Sequence, residues 1–205
     1  MMREYSLDEF AACLAAKQPV PGGGGAAALC GALAAALGSM VANYTLGKKK
    51  YADYEAEITA LLDECGSLRA RFLELIEEDA EAFEPLSSAY GISKDDPGRD
   101  EKLERCLNSA ARVPLEIAKL AARIIEISSV LAKKGSVLMI SDAGCAAQLA
   151  FSALNCAALN VKVNTRLMKN REEAEKLNSQ LAELGEYEAS AKEIYASVYT
   201  RLSDR

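Results

Sequence analysis

Two aspartates stand where the surrounding pattern is otherwise uncharged. From about Asp53 to Phe83, apolar residues recur in alternating steps of three and four (Ile58, Leu61, Cys65, Leu68, Phe72, Leu75, Phe83), and Asp79 fills the slot before Phe83. A carboxyl group in a core slot is costly to bury without a partner, so Asp79 lies either at the exposed end of the stripe or in a site. Asp142 is the single acid of "SVLMISDAGCAAQLAFSALNCAALNVKVN", Ser136 to Asn164. It is placed either to cap a helix N-terminus or to face a cleft as a lone carboxylate. The chain contains no histidine, so proton transfer falls to Asp, Glu, Lys, Tyr or Cys.

A second group of polar positions surrounds "PVPGGGGAAALCGALAAALGSMVANYTLGKKKY", Pro19 to Tyr51. The glycine run lacks the Gly-Lys-Ser/Thr ending of a phosphate loop, and no strand precedes it as a dinucleotide fold requires. Two readings remain: a tight turn between helices, or a turn whose free N–H groups meet an anion or carbonyl and let a flat ligand approach the backbone. Ser39, Asn43 and Gly47 follow one another by four and Lys50 lies seven beyond Asn43, so they share a face if the helix runs on. Three adjacent lysines cannot all face one site, and a lysine cluster at a helix end also complements the helix dipole. Asn160 and Asn164, four apart, share a face. Asn160 is five turns beyond Asp142, about 27 Å along a straight helix, so the two share a site only through a bend or a second subunit.

The elements that must hold these groups read as helices. Ser6 and Glu9 form a capping-box pattern opening a short helix with Leu7, Phe10 and Leu14, ended by Pro19 and Pro21. Ala26 to Leu46 is apolar all round, which describes a helix buried on every side, with Gly47 as its stop and Gly31 and Gly38 as close-packing positions. Its length would span a membrane, but Ala, Gly, Ser and Asn dominate where Leu, Ile and Phe would be expected, so no membrane association is read. Pro85, Gly91 and "DDPGRD" (Asp95 to Asp100) mark a loop. A helix from about Glu101 to Lys134 follows, kinked at Pro114 and closed by Gly135. The last helix covers roughly Arg171 to Leu202, with Ala174, Leu177, Leu181, Leu184, Ala191, Tyr195, Val198 and Leu202 on one face. No segment alternates as a strand. The fold class is all-α, a single domain over residues 1–205: a bundle of long helices around two central Ala/Gly-rich ones.

Composition narrows the function. A formal net charge of −6 argues against a general nucleic-acid binder, because phosphate-backbone binding rests on many Lys and Arg contacts. The six cysteines lie far apart with no C-x-x-C pair, neither a zinc pattern nor a secreted disulfide framework, and read as buried free thiols; no metal site is expected. Met1 to Lys17 shows no signal-peptide pattern, so the expected compartment is the cytoplasm.

Together, "PVPGGGGAAALCGALAAALGSMVANYTLGKKKY", "EEDAEAF" with Asp79, "EKLERCLNSAARVPLEIA" and "SDAGCAAQLAFSALNCAALNVKVN" resemble the cyclodeaminase/cyclohydrolase family of folate enzymes, over most of the chain up to about Asn164. The chain departs from the common family pattern at Gly25, where Ser is usual, and at Ser136, where Asn is frequent. The resemblance implies an all-helical homodimer acting on a tetrahydrofolate derivative as substrate, with no separate cofactor and with a possible separate formiminotransferase as partner. The cyclodeaminase reaction takes 5-formiminotetrahydrofolate to 5,10-methenyltetrahydrofolate and ammonia; the cyclohydrolase reaction interconverts the methenyl form with 10-formyltetrahydrofolate. In this setting Asp142 is the first candidate proton carrier and Asp79 the second. Lys50 or Lys48 would keep a carboxylate ionised or meet the glutamate tail of the folate. Asn43, Asn160 and Asn164 would bond the amide-like edges of the pterin, while Pro21, Gly22, Gly23 and Gly24 would let its flat ring pack against the backbone.

Overall fold

Gly24, Gly31 and Gly38 recur every seven residues along one helix, and Asp79, Phe72 and Cys65 recur every seven, in the opposite direction, along the next. The computed structural model, which describes residues 1–204, packs these two rows against each other. They belong to α2 (Gly23–Asn43) and α3 (Glu55–Tyr90), which run antiparallel. A Cβ built on Gly31 would fall 2.4 Å from Phe72 Cε1, and one on Gly38 would fall 2.9 Å from Cys65 Sγ. Each glycine therefore admits the facing side chain down to the backbone, the kind of approach that close-packed interiors demand when alanine and glycine fill most of a core. Phe72 and Cys65 are fully buried there.

Two further long helices, α4 (Arg99–Lys134) and α5 (Ile140–Leu167), complete the body: α5 lies against both α2 and α4, and α3 against both α2 and α4. The described residues contain no strand, as the sequence predicts. Gly135 closes α4. A short α1 (Leu7–Ala15) opens with the expected capping box, in which Ser6 accepts from the Glu9 amide and Glu9 from that of Ser6. Of its apolar residues only Phe10 is buried, and Leu7 and Leu14 are exposed.

Several boundaries differ from the sequence reading. The glycine run does not precede a helix but forms its first turn, since α2 starts at Gly23, and α2 ends at Asn43, four residues before the positive-φ Gly47. Nor does Pro85 end α3, which continues through it to Tyr90 because the proline sits on the exposed side. The last helix is two: α6 (Arg171–Ala182) and α7 (Tyr187–Ser203), joined by a 3-10 turn at Glu183–Glu186. That turn shifts the register, so Ala191, Ile194 and Val198 are buried while Tyr195 and Leu202, assigned to the stripe, are exposed. The cysteines are free, but only Cys65 is buried; Cys145 and Cys156 are exposed.

The two small-residue helices are not enclosed on every side. By length and composition α2 and the stretch Val137–Leu167 would each suffice to cross a membrane, yet both pack one side into the bundle and leave the other open. Leu33 on α2 and Leu159 and Val163 on α5 are exposed on that open side. No charged residue occurs between Pro19 and Gly47 or between Ala143 and Val161.

Gly31→Ala tests the α2–α3 seam. The added methyl meets a ring that cannot retreat, and overpacking of this kind costs about 1–3 kcal/mol, more than the ~1 kcal/mol that alanine gains in helix propensity. Urea denaturation is expected to show a net loss of stability; a gain would mean the seam is loosely packed.

Candidate active site

The heptad row that buries Phe72 brings Asp79 to the N-terminus of α2. A Cβ on Gly24 would fall 2.1 Å from Asp79 Oδ1, so the carboxylate occupies the space a side chain would need. Gly22 at the N-cap offers no side chain to the first-turn amides, and an acid from the neighbouring helix stands there instead. Two effects compete at this carboxyl. The Gly25 backbone N–H favours the ionised form, whereas burial opposes it; burial wins, and the Asp79 pKa rises from 3.8 to about 6. The sequence alternatives for Asp79 are thereby resolved: it is half-buried in a cleft, not at a solvated helix end.

The cleft, about 140 Å³, is walled by Gly22, Gly23 and Gly24 of the α2 start, Asp79 and Phe83 of α3, and Asn160 of α5. Asn164 and Val163 extend the α5 wall, and Ala110 closes it from α4. Gly23 is tight against α5, where a Cβ would stand 3.1 Å from Asn160 Nδ2. Asn160 Nδ2 donates to Cys156 O at 2.8 Å, and Asn164 Nδ2 donates to Ala110 O and Asn160 O at 2.9 Å each, so both amides are held by backbone. Pro21 is buried under Gly25, and Pro19 and Val20 line the opening in its place.

The remaining predicted residues gather elsewhere. Contacts of Gly23 with Asn160 at one end and of Thr45 Oγ1 with the Ser136 amide (2.8 Å) at the other show that α2 and α5 run antiparallel. Asn43, Lys48 and Lys50 therefore lie at the end of α2 opposite the cleft, on the same side as Asp142. Lys48 Nζ donates to Ser136 Oγ at 3.3 Å, and the Tyr51 hydroxyl accepts from the Val137 amide at 3.0 Å, a bond that holds its pKa below the usual tyrosine value. Asp142 is in the first turn of α5 behind Met139, which takes the N-cap position, so Asp142 is not the cap. α5 runs unbroken from Ile140 to Leu167, leaving about 27 Å between Asp142 and Asn160 within one chain.

Sequence reasoning placed Phe83 in the core stripe and passed over Pro19, Val20 and Val163. The signal for Phe83 was present: it follows Asp79 by four, which sets both on one helical face.

The fold is thus an all-helical bundle without histidine that sets an acid-bearing cleft at a glycine-opened helix start. The family model described as formiminotransferase-cyclodeaminase matches residues 6–183, and the chain belongs to that family of folate cyclodeaminases and cyclohydrolases. It is 38% identical to a methenyltetrahydrofolate cyclohydrolase of Methylorubrum extorquens, over 99% of this chain and 100% of that protein. It is 30% identical to the formimidoyltransferase-cyclodeaminase of Rattus norvegicus over 88% of this chain, but spans only 34% of the rat protein. The solved structure of formiminotetrahydrofolate cyclodeaminase from Thermotoga maritima superposes with a TM-score of 0.86 at 30% identity, covering 99% of this chain and 98% of that one.

Asp79→Asn separates function from stability. The unfolded carboxyl ionises near 3.8 and the folded one near 6, so between those values the folded state binds more protons and stability falls as pH rises. Removing the charge is expected to stabilise the protein at pH 7 by up to about 3 kcal/mol, with the gain gone below pH 4. Thermal melts of both proteins at pH 4 and pH 7 check this; equal differences at the two pH values would contradict it.

Proposed function

We propose that this chain closes or opens the one-carbon bridge between N5 and N10 of tetrahydrofolate, with Asp79 as general base. The carrying observation is the position of Asp79, buried beside the α2 start with a pKa of about 6: at neutral pH it is ionised, yet basic enough to accept a proton during reaction. In the cyclodeaminase direction N10 attacks the carbon of the protonated formimino group and passes its proton to Asp79, which returns it to the amine, so that the tetrahedral carbon expels ammonia and is left as the methenyl cation. In the cyclohydrolase direction a water attacks the methenyl carbon, Asp79 takes its proton, and the N5–carbon bond breaks with protonation of N5. Both routes pass through one tetrahedral carbon bonded to both nitrogens, so the same base serves either. Similarity to the Thermotoga maritima cyclodeaminase supports the first reaction; the 38% identity to a cyclohydrolase along its full length supports the second.

The cleft of one chain does not hold a whole folate. At about 140 Å³ it is well below the roughly 300–1,000 Å³ of pockets that enclose a drug-sized ligand. The open, uncharged face of α2 and α5 suits a second copy, since contiguous exposed apolar surface on a soluble protein marks an interface. A two-fold axis perpendicular to these helices exchanges their ends. Asp142, Lys48 and Lys50 of one copy then approach the Asp79 cleft of the other, which supplies the second acid and the cations that the far end of its own helices cannot. We therefore read the working unit as a cytoplasmic homodimer with substrate between copies.

The reaction is tested by offering the purified protein 5-formiminotetrahydrofolate and, separately, methenyltetrahydrofolate, while following the methenyl absorption and ammonia. Ammonia release identifies the cyclodeaminase and loss of the methenyl chromophore above the spontaneous rate the cyclohydrolase; neither signal would refute the reading. For whichever substrate turns over, kcat/KM is expected to fall about tenfold per pH unit below pH 6, and Asp79→Asn to lower kcat by about 10²–10⁴-fold. An unchanged acid limb in that variant would remove Asp79 as the base.

Leu33→Glu tests the second copy. Sedimentation velocity should show the parent protein as a dimer and the variant as a folded monomer with turnover reduced at least about tenfold, the effect of losing half a site. A monomeric parent with full turnover would rule out a site shared between chains.

A further inference from the structure

The polar atoms that the cleft leaves free are fixed in orientation by the backbone around them. Both N–H groups of Asn164 are committed to the carbonyls of Ala110 and Asn160, which fixes the amide orientation, because the reverse one would set its oxygen against two other oxygens. Asn164 Oδ1 then has no partner among the described residues, and it is not sealed from solvent, as Ser39 Oγ is. Asn160 spends one N–H on Cys156 O and keeps its oxygen and its second N–H free, and ionised Asp79 only accepts. The polar wall thus sets the Asn160 and Asn164 oxygens beside the uncapped first-turn N–H groups of α2, and suits a flat ligand whose edge both donates and accepts. Phe83, on the same face of α3 as Asp79 and one turn further on, is the aromatic residue of the cleft lining and is only partly buried.

We infer that Phe83 is a specificity-determining residue of this cleft: its ring is the wall against which a flat ring of the substrate packs, edge inward toward the amide oxygen of Asn164. The inference rests on the folate reading and sharpens it. The volume of the cleft accommodates a fused bicycle but not the arylglutamate arm attached to it, so the pteridine ring enters and the arm stays outside. An aromatic face adds favourable contact to a flat ring, and its loss weakens such stacks by roughly five- to tenfold.

The experiment compares the parent with Phe83→Ala and Phe83→Leu. Its readouts are steady-state kinetics on the substrate that turns over and inhibition by two fragments, tetrahydropterin and p-aminobenzoylglutamate. Phe83→Ala is expected to raise KM and the tetrahydropterin inhibition constant each by about five- to tenfold. The kcat, its acid limb near pH 6 and inhibition by p-aminobenzoylglutamate should stay within twofold. Phe83→Leu, which keeps bulk without an aromatic face, should fall between, and it carries the test if the alanine variant melts early. An unchanged KM, a loss confined to kcat and its pH profile, or equal weakening of both fragments would overturn the assignment of Phe83 while leaving the folate reading intact. A parent protein that neither turns over a folate nor is inhibited by tetrahydropterin would bring down both.

Discussion

The site depends on backbone-close packing between α2 and α3. Glycines seven residues apart on one helix face Asp79, Phe72 and Cys65 seven apart on the other, and the same geometry that buries a phenylalanine ring in the middle of the seam delivers a carboxylate at its end. The packed seam and the buried carboxyl are therefore one arrangement. The forces that close the seam are hydrophobic and dispersive at Phe72 and Cys65, and they carry Asp79 into a position it would not choose, since its own burial is unfavourable.

That unfavourable burial is useful. A carboxylate at a helix N-terminus would ordinarily be held in its ionised form, but here desolvation outweighs the Gly25 amide and leaves the group poised just under neutral pH. In a chain without histidine, this gives a carboxyl some of the titration range an imidazole would otherwise supply. Placing Asp79 on a long, well-packed helix rather than a loop also limits its movement, and the backbone bonds of Asn160 and Asn164 fix the facing wall.

The antiparallel run of α2 and α5 has a different consequence. It sends the glycine turn and the lysine cluster, neighbours in sequence across one helix, to opposite ends of the bundle, and it does the same to Asp142 and Asn164. Each chain thus carries two half-sets of chemistry-bearing residues about 27 Å apart, bridged by an uncharged face. In the proposed homodimer a two-fold pairing unites the half-sets without bending a helix.

The helical class, the caps and stops such as Ser6 and Gly135, the heptad stripe leading to Asp79, and the family are legible in the sequence, because these follow from periodicity, local backbone preference and motif. It left Asp79 undecided between a solvated end and a site, and counted Phe83 as core. Those outcomes turn on what stands across from each residue: a glycine that admits a carboxylate, a backbone amide that half-satisfies it, and an α5 wall that leaves Phe83 partly open. Helix ends were misjudged where the deciding factor was which side faced solvent, as at Pro85, or where a single 3-10 turn reset the register, as at Glu183–Glu186. Only the tertiary structure decides such matters, because desolvation and neighbouring dipoles depend on contacts between segments distant in the chain.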